Sequence, residues 1–264
     1  MKNTFFLFCR RKIVFLLGGF LSRVRQFLNV TSEGKFIQRF SLCFSNSYTV
    51  YYQKNMSCVL SELCDKYGSD KGEIVKFGHP YSWAPHTYAD FYSRIFGTYR
   101  SHIKKVFECG LGTNNPTIPS NMGITGKPGA SLRVWRDYFP NAIVFGADID
   151  QDVLFEEERI KTFYMDQTCP RSINKLWQSV GIDDFDLILD DGLHTFEAGI
   201  CMFENSISKL SQNGIYVIED VGFSSLFKFK DYFSNKKYNV DFVNLFRNDI
   251  GLGDNSLIIV RLKN

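Results

Sequence analysis

The sequence predicts an α/β fold, a doubly wound, mostly parallel seven-stranded sheet with a terminal antiparallel hairpin. Three observations predict it. Apolar, β-rich runs alternate with helical stretches from Met56 onward. A glycine-rich turn follows the first run, and several later runs end in acidic residues. The chain has 264 residues and 44% apolar content, enough to bury the core of one sizeable domain with room for an extension.

Strands are expected at Lys105 to Glu108, Ala142 to Ala147, Phe163 to Met165, Phe185 to Leu189 and Ile215 to Ile218. Helices are expected between them at Ser131 to Tyr138, Arg171 to Val180 and Phe196 to Leu210, with Asn213-Gly214 read as the stop signal of the last. Val240 to Phe246 and Ser256 to Arg261, separated by a turn-rich stretch, read as the closing hairpin.

Residues 1–55 form a basic and apolar extension to the domain at 56–264. Phe5-Phe6-Leu7-Phe8 and Ile13-Val14-Phe15-Leu16-Leu17 are interrupted by Arg10-Arg11-Lys12 and followed by Arg23 and Arg25. The longest apolar run, Ile13 to Leu21, is shorter than the roughly 20 residues a bilayer span takes. Four readings remain open. Residues 1–25 can lie on a membrane surface as an amphipathic helix, pack on the domain or an oligomer partner, act as a signal peptide, or precede a start at Met56.

The 31 basic and 28 acidic residues are interspersed, giving a net charge of +3 and no reason to expect a nucleic acid partner. Seven scattered cysteines, with no Cys-x-x-Cys pair, suggest neither a disulfide framework nor a zinc site, and point to a reducing cytoplasm.

Glu108-Cys109-Gly110-Leu111-Gly112-Thr113 follows the first strand, where Gly110 and Gly112 allow backbone to approach a ligand. A dinucleotide fingerprint would place a third glycine where Asn115 stands and would lead straight into a helix; here a long loop intervenes. The second strand ends in Asp148-Ile149-Asp150, and Asp148 is suited to accept both hydroxyl hydrogens of a ribose. The third ends at Asp166-Gln167, a polar pair placed to meet an adenine edge. Each pair can also be read as simple loop capping.

Asp190, Asp191 and His194 end the fourth strand, and Glu219 and Asp220 end the fifth. Adjacent parallel strands lie about 4.8 Å apart, so these ends can converge on one ion. Oxygen-only ligation favours Mg²⁺, or Ca²⁺ and Mn²⁺, over zinc. His194 is suited to take a proton from an activated hydroxyl. The bland alternative is that His194 caps the helix beginning near Thr195 and the acids are solvated.

The chain from about Leu60 to Val221 resembles the class I methyltransferases, which are Rossmann-like, and most of all the metal-dependent sugar O-methyltransferases of macrolide biosynthesis. The residues that carry the resemblance are Asp65-Lys66-Tyr67-Gly68-Ser69-Asp70-Lys71-Gly72, His79-Pro80-Tyr81, Glu108-Cys109-Gly110-Leu111-Gly112, Gly129-Ala130-Ser131-Leu132, Asp148-Ile149-Asp150, Asp166-Gln167, Asp191-Gly192-Leu193-His194 and Ile218-Glu219-Asp220. It implies S-adenosylmethionine and Mg²⁺ as cofactors, Asp191, Glu219 and Asp220 as metal ligands, and His194 as base. It also implies Gly110 and Ser131 at the methionine end of the cofactor, Asp148 on its ribose, and a homo-oligomer. Glu108, Gly112, Asp166, Gln167 and Asp190 complete the expected cofactor contacts, Asp190 either directly or from behind. Leu193 stands where that family commonly has serine.

Lys71, His79, Tyr81, His86 and Tyr88 precede the sheet and can form a lid over the acceptor, or can pack a helix. The expected reaction is methyl transfer to a sugar hydroxyl on a nucleotide sugar, surface glycan or glycosylated metabolite precursor. Two competing readings are a hydroxylase of the cephalosporin type, which looks similar at the Asp-Gly-x-His and Glu-Asp motifs, and a non-catalytic binding or assembly protein.

Overall fold

Alternate residues of the central strands are apolar on both faces, which suits a sheet covered by helices on each side. Val106, Val144, Leu187, Leu189 and Val217 belong to one core cluster, and Phe107, Phe145, Ile188, Tyr216 and Ile218 to the other. The computed structural model describes residues 47–52, 58–73, 80–247 and 252–263. The blocks at 1–25, Met56 and His79 lie outside the described residues.

In chain order the strands are β1 (Ser47–Tyr52), β2 (Lys105–Cys109), β3 (Ile143–Asp148), β4 (Glu156–Glu157), β5 (Ile160–Tyr164), β6 (Phe185–Asp190), β7 (Leu210–Ile218), β8 (Tyr238–Arg247) and β9 (Ser256–Leu262). They form one sheet in the order β1-β8-β9-β7-β6-β2-β3-β5-β4. All seven expected strands are present, and two edge strands make the sheet nine-stranded. One is the two-residue β4; the other is β1, drawn from the segment read as an extension and running parallel to β8. β9 lies antiparallel to both β8 and β7, so the hairpin joins the sheet through its second strand.

The helices are α1 (Val59–Tyr67), α2 (Tyr88–Phe96), α3 (Ala130–Tyr138), α4 (Pro170–Val180), α5 (Phe196–Ser206) and α6 (Phe223–Ser234). Residues of α1, α2 and α3 build one core cluster, and those of α4, α5 and α6 the other. No helix among the described residues is long and apolar enough to cross a membrane.

β2 has β3 on one side and β6 on the other, all parallel. The chain moves outward from β2 through β3 to β5 and then returns to β6, which makes the carboxyl end of β2 a topological switch point where a crevice opens.

Two expected boundaries need correction. The helix read as Phe196 to Leu210 ends at Ser206, followed by a single 3₁₀ turn at Ile207–Lys209, and Leu210 already pairs with Phe185 in the sheet. Asn213-Gly214 is therefore no helix stop. It sits in a register shift, where β6 advances from Phe185 to Leu187 while β7 advances from Leu210 to Ile215. A Cβ on Gly214 would lie 2.6 Å from the Phe185 carbonyl oxygen, so the bulge favours glycine. The third strand runs Ile160–Tyr164 rather than Phe163 to Met165, because buried Ile160 pairs with Val144.

Phe203 of α5 is buried and meets Tyr216, Phe233 and Tyr238 edge-on at centroid distances of 5.1–5.3 Å. It ties α5 to α6, β7 and β8. Phe203→Ala should lower unfolding free energy by about 3–5 kcal/mol in urea denaturation; a loss under about 1 kcal/mol would mean these rings are not packed as described.

Candidate active site

The site forms at the carboxyl ends of β2, β6 and β7. Gly110 leaves β2 with φ 91° and Gly112 has φ 75°, and a Cβ on Gly110 would stand 2.0 Å from the Asp191 carbonyl oxygen. The Asp191 N–H in turn donates to the Cys109 carbonyl at 2.9 Å, so the two strand ends are closed on each other at a distance only glycine permits. Asp148 Oδ2 accepts from the Leu111 N–H at 2.8 Å, which pins the same turn from the β3 side.

Two cavities meet here. The larger, about 430 Å³, is lined by Gly110, Gly112, Asp148, Asp166, Gln167 and Leu193 among others, on the side expected for the cofactor. The smaller, about 280 Å³, is lined by Lys71, Tyr81, Trp83, His86, Ser131, His194 and Asp220. Gly110, Gly112, Ser120 and Asp191 border both.

Several expected residues sit elsewhere or do something other than the sequence suggested. Glu108 lines neither cavity; it is fully buried, with Oε2 accepting from Trp135 Nε1 at 2.9 Å. Gln167 does not offer its amide outward: Nε2 donates to Asp190 Oδ1 at 2.6 Å and Oε1 accepts from the Leu193 N–H at 2.8 Å. Asp166 caps the next turn, accepting from the Thr168 N–H and hydroxyl, although it still borders the larger cavity. Asp190 lies behind the site, and its buried Oδ2 has no hydrogen-bond partner. Ser131 and Tyr81 border the smaller cavity, where Tyr81 stacks on Trp83 at 5.3 Å.

Lys71 departs furthest from its expected place in a lid. It is only 3% exposed, and its ammonium pairs with Glu219 Oε2, with Asp191 Oδ2 at 2.5 Å and with Glu108 Oε1 at 3.3 Å.

His194 also has a defined role. Thr195, not His194, is the N-cap of α5, accepting from the Ala198 N–H. The imidazole is left free to project, with Nε2 3.2 Å from Asp191 Oδ1 and 3.8 Å from Asp220 Oδ2, and its side chain is 30% exposed. His194 and Asp220 both adopt left-handed backbone, φ 58° and 52°, which non-glycine residues hold only where their surroundings compel it.

The acidic residues do not converge as one trio. The donor atoms of Asp191, His194 and Asp220 lie within 4.8 Å of one another, and so do those of Glu108, Asp191 and Glu219; Asp191 is common to both groups. Glu219 faces inward, where Tyr92 donates to its Oε1 at 2.5 Å, and Tyr88 donates to Asp220 Oδ1 at 2.7 Å. These tyrosines, one turn apart on α2, hold the end of β7. Tyr92 escaped the sequence reading, although Tyr88, Tyr92 and Phe96 recur at helical spacing.

The charge balance is unusual. Burial raises Glu108 to about 7 and Asp190 to about 6, and raises Glu219 and Asp220 as well. Asp191 is half-buried, yet Lys71 and His194 hold it well below the usual carboxylate range. Burial opposes the charge on His194, but its hydrogen bond to Asp191 and the charges of Asp220, Asp191 and Asp190 prevail and push it up to about 10.

Because Gly110 is the point of closest approach, Gly110→Ala should displace the Asp191 loop and lower stability by about 2 kcal/mol or more, measured by urea denaturation. A variant as stable as the parent would show that the two strand ends are not in contact.

No protein-family model matches the chain. The 8-demethyl-8-alpha-L-rhamnosyl tetracenomycin-C 2'-O-methyltransferase of Streptomyces olivaceus is 30% identical over 162 residues, 61% of this chain and 37% of that protein. The demethylmacrocin O-methyltransferase of Streptomyces fradiae is 32% identical over 163 residues, 61% and 36% of the respective chains. The chain thus spans little more than a third of the length of these relatives. The MycE methyltransferase of the mycinamycin biosynthetic pathway, solved in complex with Mg and SAH, superposes with a TM-score of 0.54 at 22% identity, over 78% of this chain and 55% of that one. The chain accordingly has the fold of that methyltransferase, and over 61% of its length it is similar in sequence to O-methyltransferases that act on glycosylated tetracenomycin and macrolide compounds.

Proposed function

We propose that this protein transfers the methyl group of S-adenosylmethionine to a hydroxyl of a sugar carried by a small glycosylated acceptor, with a divalent cation such as Mg²⁺ at the strand ends. The observation that carries the reading is the meeting of two cavities at Gly110, Gly112 and Asp191, with His194 and Asp220 on the smaller side. One cavity can take the cofactor and the other the acceptor, so that sulfur, methyl and oxygen come into line at their junction. The similarity to enzymes named for methyl transfer onto glycosylated compounds supports this assignment of substrate class.

The larger cavity offers the features a nucleoside needs. Asp148 Oδ2 accepts the Leu111 N–H and Oδ1 that of Asp150, and the carboxylate borders the cavity where a ribose hydroxyl can reach it. Gly110 and Gly112 keep side chains away from the junction, and Ser131 stands at its far side.

The electrostatics favour a cation. Asp191 and Asp220 raise the proton affinity of His194, so positive charge entering among those carboxylates would make His194 a better base. The donors there are carboxylate oxygens with two imidazoles nearby, His194 and, 3.5 Å from Asp220 Oδ1, His86, a set that suits a hard divalent ion held by Asp191 and Asp220, with Glu219 beside Asp191. An ion held by these residues would supply charge that lowers the pKa of an acceptor hydroxyl and of His194. His194 Nε2 then takes the hydroxyl proton while the oxygen attacks the methyl carbon. The carbon–sulfur bond breaks and S-adenosylhomocysteine leaves as a neutral thioether.

His194→Ala tests the assignment of the base. Calorimetry should show S-adenosylhomocysteine bound within about twofold of the parent affinity, since His194 borders the acceptor cavity and not the larger one. Turnover should fall by about 10²- to 10⁴-fold. Unaltered turnover would remove His194 as the base.

A further inference from the structure

Lys71 lies on the loop between α1 and α2, which is fixed at both ends. Gly68 ends α1 with its N–H bonded to the Cys64 carbonyl at 2.8 Å, and the carbonyls of Asp70 and Lys71 accept from His86 and Ala89 at 2.7 Å. A Cβ on Gly72 would stand 2.9 Å from the Cys64 Cβ, so the loop is packed against α1 and cannot readily withdraw its lysine. The ammonium is delivered to Glu108 of β2, Asp191 beyond β6 and Glu219 beyond β7.

Each of these carboxylates also has neutral or imidazole partners of its own: Trp135 and Ser131 for Glu108, His194 for Asp191, Tyr92 for Glu219. Among the described residues, Lys71 is the one positive charge that all three share. With all three ionised, three carboxylates against one ammonium leave two negative charges, the charge a divalent ion balances, and three without the lysine.

We propose that Lys71 is a built-in counter-cation of the site. It pairs with the Asp191 and Glu219 carboxylates before a divalent ion arrives and, by like-charge repulsion that outweighs its ordering of those ligands, weakens that ion's binding so that it loads reversibly. The inference rests on the cation reading above. In this role Lys71 is a positioning residue that acts through Asp191 and Glu219 rather than on the acceptor. The sign of the effect separates the two accounts of it. A strut that merely orients ligands predicts weaker ion binding when it is lost, and a competing charge in a poorly solvated site predicts tighter binding.

The test is Mg²⁺ binding by calorimetry at pH 8, without cofactor or acceptor, in the full chain and in four variants. Lys71→Met should bind Mg²⁺ at least about tenfold more tightly, because a unit charge within a few ångströms of the ion is removed. Glu108→Gln should bind it several-fold more weakly, and the Lys71→Met/Glu108→Gln pair should return to within about threefold of the parent. Tyr92→Phe, which removes a Glu219 partner without changing charge, should stay within about threefold of the parent. Unchanged or weaker binding in Lys71→Met overturns the proposal. Should Lys71→Met fail to fold by circular dichroism, unchanged or tighter binding in Glu108→Gln overturns it equally. A parent that binds S-adenosylhomocysteine but no Mg²⁺ overturns the counter-cation role and leaves the methyltransferase reading standing. Normal Mg²⁺ binding without methyl transfer does the reverse.

Discussion

The buried ammonium of Lys71, shared among Glu108, Asp191 and Glu219, is the interaction on which the rest of the site depends. Three acids at the ends of three neighbouring strands would repel one another in a poorly solvated interior, and removing a buried partner charge is strongly destabilising. The structure surrounds them with donors. α2 lays Tyr88 and Tyr92 against the end of β7, α3 brings Trp135 onto Glu108, and the loop before α2 delivers Lys71. Helices that look like cover for the sheet thus also neutralise and orient its acidic edge.

The same constraint explains why the backbone is unusual here. Strand ends can present side chains to one point only if their turns close on each other, so Gly110 meets the Asp191 carbonyl where no Cβ fits. His194 and Asp220 occupy left-handed conformations, and both border the smaller cavity. Asp148 and Gln167 secure the turns from the other side, through Leu111 and Leu193. The residues that hold the site and those that can meet ligands are therefore partly the same.

Much of this was legible in the sequence, and the remainder was not for identifiable reasons. The seven main strands could be read because parallel strands buried on both faces are continuous apolar runs. Asn213-Gly214 misled because a glycine in a strand bulge and a glycine ending a helix look alike without the partner strand. α6 was missed although Leu226, Phe229 and Phe233 recur at helical spacing and are buried. The acidic strand ends were found by position, but their orientations were not. A lysine in a loop reads as solvated, and nothing local reveals that Lys71 is enclosed by acids more than 30 residues away in sequence. Gln167 reads as a ligand contact for the same reason, because its partners Asp190 and Leu193 belong to another strand end.

What leaves the junction of the two cavities decides whether the site transfers a methyl group. Incubating the full chain with S-adenosylmethionine, Mg²⁺ and a panel of glycosylated acceptors, and analysing the products by mass spectrometry, tests this most directly. The account predicts S-adenosylhomocysteine together with an acceptor that has gained one methyl as a sugar ether, and no product after chelation of divalent ions. A hydroxylated acceptor, or methyl transfer that persists in the presence of the chelator, would contradict it.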